Sequence, residues 1–181
     1  MVNITSLILK KFENIAGSRY EEILKAYQEF LLSEEELVIP EIDSIVLVVD
    51  RYSGDIPEGV FRLLEAYNPM RLLLLYVIDE SVCRLIRDTL GEEEAKKFRK
   101  KEEAIAASIL EKVETALKER GLRWSRELVF ADKALYVEEI SENYDLLVIS
   151  KHYGSESTKT HMVSPIVFRI VHHVEKPVVT Y

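Results

Sequence analysis

Two stretches of this chain combine residue types that could hold a ligand. The first is Asp50, which ends the apolar run Leu47-Val48-Val49 and is followed by Arg51-Tyr52-Ser53-Gly54. A carboxylate at the end of a buried strand can accept hydrogen bonds from a ribose hydroxyl or a ring amine. It can equally satisfy backbone donors of its own turn or pair with Arg51. The second is the polar stretch Ser150-Lys151-His152-Tyr153-Gly154-Ser155 and onward to His161, lying between an apolar run and a helix start. Backbone amides and a helix N-terminus in such a place suit an anion, with Lys151 and Lys159 adding charge. The other reading is a surface loop with no ligand. Ser164-Pro165 reads as an N-cap followed by proline at the first helical position, and proline removes one amide from that terminus.

Other chemistries find less support. His161, His172 and His173 are the only cluster of imidazoles, but adjacent helical residues point about 100° apart and rarely grip one ion. No metal site is expected. The chain has no Gly-x-Ser-x-Gly elbow, no Walker loop and no Gly-x-Gly-x-x-Gly after its first apolar run. No catalytic residue is assigned. The single cysteine, Cys83, forms no internal disulfide and fits a reducing compartment.

The elements that would position these residues follow from periodicity. Apolar runs at Ile45–Val49, Leu72–Ile78, Leu128–Ala131, Leu146–Ile149 and Val178–Tyr181 read as strands buried on both faces. Helices are expected over Glu58–Tyr67, one long stretch from Ser81 to Arg120, Ala134–Asn143 and Pro165–Val174. In the long stretch Ile105, Ile109, Val113 and Leu117 recur four apart and should face the sheet. Gly121 should end it as a C-cap. Alternating strands and helices give an α/β, doubly wound parallel sheet, which binds ligands outside the carboxyl ends of its strands.

Two helices precede this domain, the second starting at a capping box, Ser18-Arg19-Tyr20-Glu21. Its stripe of Ile23, Leu24, Tyr27, Phe30 and Leu31 needs cover, from the α/β domain or from another subunit. Residues 1–43 therefore read as a helical extension and linker, and residues 44–181 as the main domain. The 181 residues, 48% apolar, suffice for one sizeable core. A formal charge of −8 opposes non-specific binding to nucleic acid or anionic membranes. No apolar run reaches the roughly 20 residues of a membrane span, and a cytoplasmic location is expected.

Taken together, Val48-Val49-Asp50, Tyr76-Val77-Ile78-Asp79, the run Asp145-Leu146-Leu147-Val148-Ile149-Ser150-Lys151-His152 and the ending Lys176-Pro177-Val178-Val179 resemble the universal stress protein family. The resemblance covers about residues 44–181. It implies a five-stranded sheet in order 3-2-1-4-5 and a homodimer, here through the C-terminal edge strand. It also implies adenine-nucleotide binding, with ATP as cofactor and magnesium accompanying it. Asp50 and Val77 match positions that contact the adenosine, and Ser164 keeps a hydroxyl at the phosphate end. Nucleotide-binding members carry Gly-x-x-Gly and, after a spacer, Gly-Ser or Gly-Thr. One register sets Ser150 and Tyr153 on the first two glycines. The other sets Lys151 and Gly154 there, with Ser164-Pro165 at the end. Either substitution crowds the phosphates, and Lys151 could replace amides as a point charge. The implied function is a stress-associated regulator that binds adenine nucleotide without strong catalysis. The alternatives are a nucleotide-independent dimeric interaction module and a weak ATP-hydrolysing or adenylating enzyme.

Overall fold

The computed structural model describes residues 41–155 and 162–181. The two N-terminal helices expected from the sequence, and Lys159 and His161, lie outside the described residues. Ile42–Tyr181 forms one compact unit. Its elements are β1 Ser44–Val49, α1 Glu58–Tyr67, β2 Arg71–Asp79, α2 Glu80–Leu90, α3 Glu92–Glu119, β3 Ser125–Ala131, α4 Lys133–Ser141, β4 Leu146–Ile149, α5 Pro165–His173 and β5 Val178–Thr180.

The sheet is five-stranded, all parallel, in the order β3-β2-β1-β4-β5. This is the expected topology. β1 sits at the centre, with Val48 in register with Leu75 of β2 and Ile149 of β4. Successive side chains of a strand point to opposite faces, and both faces here are apolar. Ile45, Leu47 and Val49 pack with Leu74, Tyr76 and residues of α1 and α3 such as Phe61, Leu110 and Leu117. Val46 and Val48 pack with Leu75, Val77 and residues of α4 and α5 such as Val137, Val167 and Ile170. Helices therefore cover both faces, which explains the unbroken apolar runs.

Three expectations need correction. The single helix drawn from Ser81 to Arg120 is two helices, broken at Gly91, whose φ of +94° few other residues adopt. The face of α3 that packs inward is centred on Ala106, Leu110, Val113 and Leu117, with Ile105 and Ile109 on its flank. The third strand begins at Ser125, three residues before the apolar run, because β3 is an edge strand and its exposed start needs no apolar side chains.

The carboxyl edge of the sheet is organised by aspartates. Asp79 ends β2 and accepts from the amides of Ser81 and Val82, capping α2. Asp132 follows β3 and accepts from Ala134 and Leu135, capping α4. Each satisfies amides that a helix start leaves unpaired. Ser164 caps α5 through the Val167 amide, with Pro165 at the first position, as its sequence suggests. At the opposite edge Asp145 ties β4 to β1, its Oδ2 accepting from the Ser44 amide and hydroxyl and from the Asp43 amide.

Candidate functional site

Asp50, at the carboxyl end of the central strand, is 1% exposed. Its Oδ1 accepts from the Tyr52 amide at 2.9 Å and the Ser53 hydroxyl at 3.0 Å. Its Oδ2 accepts from the Lys133 ammonium at 2.7 Å and the Gly154 amide at 2.7 Å. The structural reading of Asp50 is half right. The carboxylate does satisfy its own turn, but its cationic partner is Lys133, while Arg51 turns away to Glu102 at 2.6 Å. Glu102 is itself buried, on α3. Lys133 stands 83 residues from Asp50, and no local pattern announces it.

Lys133 is the first residue of α4 and is buried along with its partner. Its ammonium lies 5.0 Å from the centre of the Tyr153 ring. An ammonium at that distance from a ring face gains a cation–π interaction in addition to its ion pair. Tyr153 has no exposed surface and packs with Val77, Ala134, Val137, Ile149 and Val167. Burial, with the negative charge of Asp50 behind it, pushes the Tyr153 phenol well above its ordinary range. Among the described residues its hydroxyl has no hydrogen-bond partner.

The backbone from Lys151 to Ser155 is closed on itself. The Lys151 amide donates to Tyr181 O, His152 to Ser150 Oγ, Tyr153 to Ser150 O, Gly154 to Asp50 and Ser155 to His152 O. The Ser150 hydroxyl donates to Ser53 O. The Ser164 hydroxyl donates to Tyr153 O, and the Ser164 amide donates to Lys151 O. Phosphate cradles work by aiming several free amides at one point. Every amide in this turn is already donated to the protein.

Gly154 has a φ of +85°, and a Cβ there would collide with Ile166 Cδ1. A glycine is thus required by both backbone conformation and space. Of the two registers considered for the glycine motif, this geometry favours the one that sets Lys151 and Gly154 on the motif's first two positions.

The candidate residues therefore divide. Asp50, Gly154, Ser150 and Ser164 meet in one hydrogen-bonded node, and Lys151 joins it through its backbone. Val77 is fully buried beside Tyr153 and belongs to the core. Sequence reasoning missed Lys133 as a member and did not foresee the inward position of Tyr153. A cleft of about 270 Å³ remains next to the node, lined by Asp79, Asp132, Lys133, Pro165, Ile166 and Arg169. Arg169 there pairs with Glu138. On the opposite face a second cleft of about 360 Å³ lies between the Arg51–Ile56 turn, Phe61 and α3. His172 and His173 are exposed on α5, with His173 Nδ1 2.8 Å from Arg169 O. Among the described residues no group of three or more metal-ligating side chains converges, and no helix is long and apolar enough to cross a membrane.

No family model matches the sequence, and no curated protein matches it. Solved structures do. A hypothetical protein whose biochemical function was assigned from its structure superposes with a TM-score of 0.64 at 18% identity, covering 78% of this chain and 96% of its own. The universal stress protein UspA from Lactobacillus plantarum gives 0.55 at 15% identity, covering 78% and 99%. A universal stress protein in complex with cAMP gives 0.52 at 12% identity, covering 78% and 98%. In strand order, in helix placement and over nearly the full length of those chains, residues 42–181 have the universal stress protein fold.

Proposed function

We propose that this protein is a regulatory module of universal stress protein type that acts through binding rather than catalysis. The carboxyl end of its sheet, where folds of this kind take ligands, is closed by its own Tyr153, Lys133 and Asp50. The observation that carries this reading is the fully committed Asp50 carboxylate, whose two oxygens accept four hydrogen bonds, one of them from a buried cation. A ribose or adenine donor reaching Asp50 would have to displace a buried ion pair, at a cost of several kcal/mol. The triphosphate of ATP does not fit the described turn, which offers it no free amide, and among the described residues no group of three or more metal-ligating side chains converges. The carboxylates of Asp79 and Asp132 are engaged as helix caps, which supports a structural role for the acidic groups along this edge.

In this form the module acts independently of nucleotide, through protein surfaces. Two features support pairing with a second copy. The edge strand β5 is bonded to β4 alone among the described strands, and the neighbouring helix α5 exposes Phe168 and Val171. An open parallel edge beside apolar side chains is a surface that association would bury.

The second reading is an adenine-nucleotide-binding regulator, and the cAMP complex among the similar structures favours it. Thermal unfolding of the full chain with millimolar ATP or cAMP separates the two. A ligand selective for the folded state must raise the transition. No shift with either nucleotide is the result expected of a closed cleft, and a saturable shift would overturn that reading in favour of the second. Sedimentation at micromolar protein tests pairing, with a monomer as the opposing result.

A further inference from the structure

We infer that the Asp50–Lys133 pair is a latch, which holds the Ser150–Ser155 turn against the carboxyl end of the sheet and must be broken before the cleft opens. This rests on the closed-cleft reading above. Three elements that are distant in sequence meet on one carboxylate: the end of β1, the first residue of α4 and the turn after β4. The turn is drawn in by a single bond to a charged group, the Gly154 amide on Oδ2, which is the same oxygen that holds Lys133. Lys133 thus fixes the oxygen that holds Gly154, while the flanks of the turn are tied by the Lys151 amide to Tyr181 O and by the Ser164 hydroxyl to Tyr153 O. The pair is buried, so dissolved salt screens it little. Lys133 also lines the remaining cleft of about 270 Å³ beside Asp79, Asp132 and Ile166. An anion entering that cleft meets the one cation on which the latch depends.

Removing the cation changes the balance at Asp50. A lone buried carboxylate is costly unless water reaches it, and the route for water is outward displacement of the turn. The adjoining Tyr153 ring loses its cation at the same time. The turn should therefore open locally while the rest of the sheet stays folded, because β1 and β2 are held by their own strand pairing and the helices on the other face share none of these bonds.

Hydrogen exchange of the full chain tests this with the Lys133→Met and Asp50→Asn variants. In Lys133→Met the amides of residues 151–155 should exchange at least about tenfold faster than in the wild type, with β1 and β2 unchanged. Wild-type protection of 151–155 in a folded Lys133→Met chain would overturn the latch. If Lys133→Met does not fold, Asp50→Asn decides by the same readout. Asparagine still accepts from Gly154 but no longer pairs with the cation, so faster exchange at 151–155 supports the latch and unchanged exchange overturns it. Wild-type protein that binds ATP or cAMP with the turn still protected would instead sink the closed-cleft reading, and the latch would stand on the exchange data alone.

Discussion

The Lys133 ammonium lies 2.7 Å from Asp50 Oδ2, joining the end of the first strand to the start of a helix 83 residues later, with neither side chain appreciably exposed. Breaking such a pair from one side leaves a buried charge without a partner, which costs about 3–5 kcal/mol. Asp50→Ala and Lys133→Ala should each lower stability by about that much. The double variant should cost less than the sum, because no charge is left stranded. Denaturant midpoints of the four proteins give the coupling directly, and additive losses would remove the pair from this account.

A second prediction concerns Gly154. Alanine there must take a φ of +85° and push its methyl into Ile166. Strained backbone of this kind costs about 1–3 kcal/mol, with overpacking adding to it. Adding Ile166→Ala should recover the steric part of the loss and leave the backbone part. A Gly154→Ala protein as stable as the wild type would mean that the turn has other conformations within easy reach.

How much of this was legible in the sequence depends on whether the signal was local. The strand ends at Asp50 and Asp79 and the Ser164-Pro165 helix start were readable, because each is written in consecutive residues. The Gly91 break was not read, since acidic and basic residues on both sides continue a helical pattern through it. On α3 the four-residue spacing beginning at Ile105 misjudged the buried face by one position, because small Ala106 carries little hydrophobic signal yet sits closest to the sheet. Asp50 was recognised as important for its place at a strand end. Its partner Lys133 could not be found, because pairing across 83 residues is a product of topology. Tyr153 was read as crowding a ligand from the loop, whereas its ring finds a larger gain in the apolar layer beside Val77.

Tyr76, Tyr153 and Tyr181 yield a third prediction. Burial is the first cause that raises all three phenols above their ordinary value, and the Asp50 charge reinforces it in each. A phenol whose folded pKa lies above its unfolded value contributes stability that is full below the unfolded pKa, about 10, and is lost as pH rises through the folded pKa. The protein should therefore become progressively easier to unfold above about pH 10. Tyr136, raised to about 12 first by its hydrogen bond with Glu127, adds to the same trend. In near-ultraviolet titration the three buried phenols should ionise only together with loss of structure. Ionisation of all tyrosines in a chain that keeps its far-ultraviolet spectrum would contradict this burial.

The amino end of the sheet gives the opposite pH dependence. Asp145 is held below the usual carboxylate range first by the hydrogen bond from the Ser44 hydroxyl and further by the Ser44 and Asp43 amides, although partial burial works against it. A carboxylate depressed in the folded state contributes stability above its unfolded pKa, and that contribution disappears as pH falls through the folded pKa. The group is largely open to solvent, so the effect is modest. Its structural consequence is specific, because Asp145 joins the starts of β1 and β4 in the centre of the sheet. Asp145→Ala should lower the denaturant midpoint at about pH 7 and lower it less at about pH 3, below the unfolded pKa, where part of the charge's contribution is already lost. An equal loss at both pH values would show that the side chain acts by neutral hydrogen bonding or packing, and that its charge is incidental to holding the two strands together.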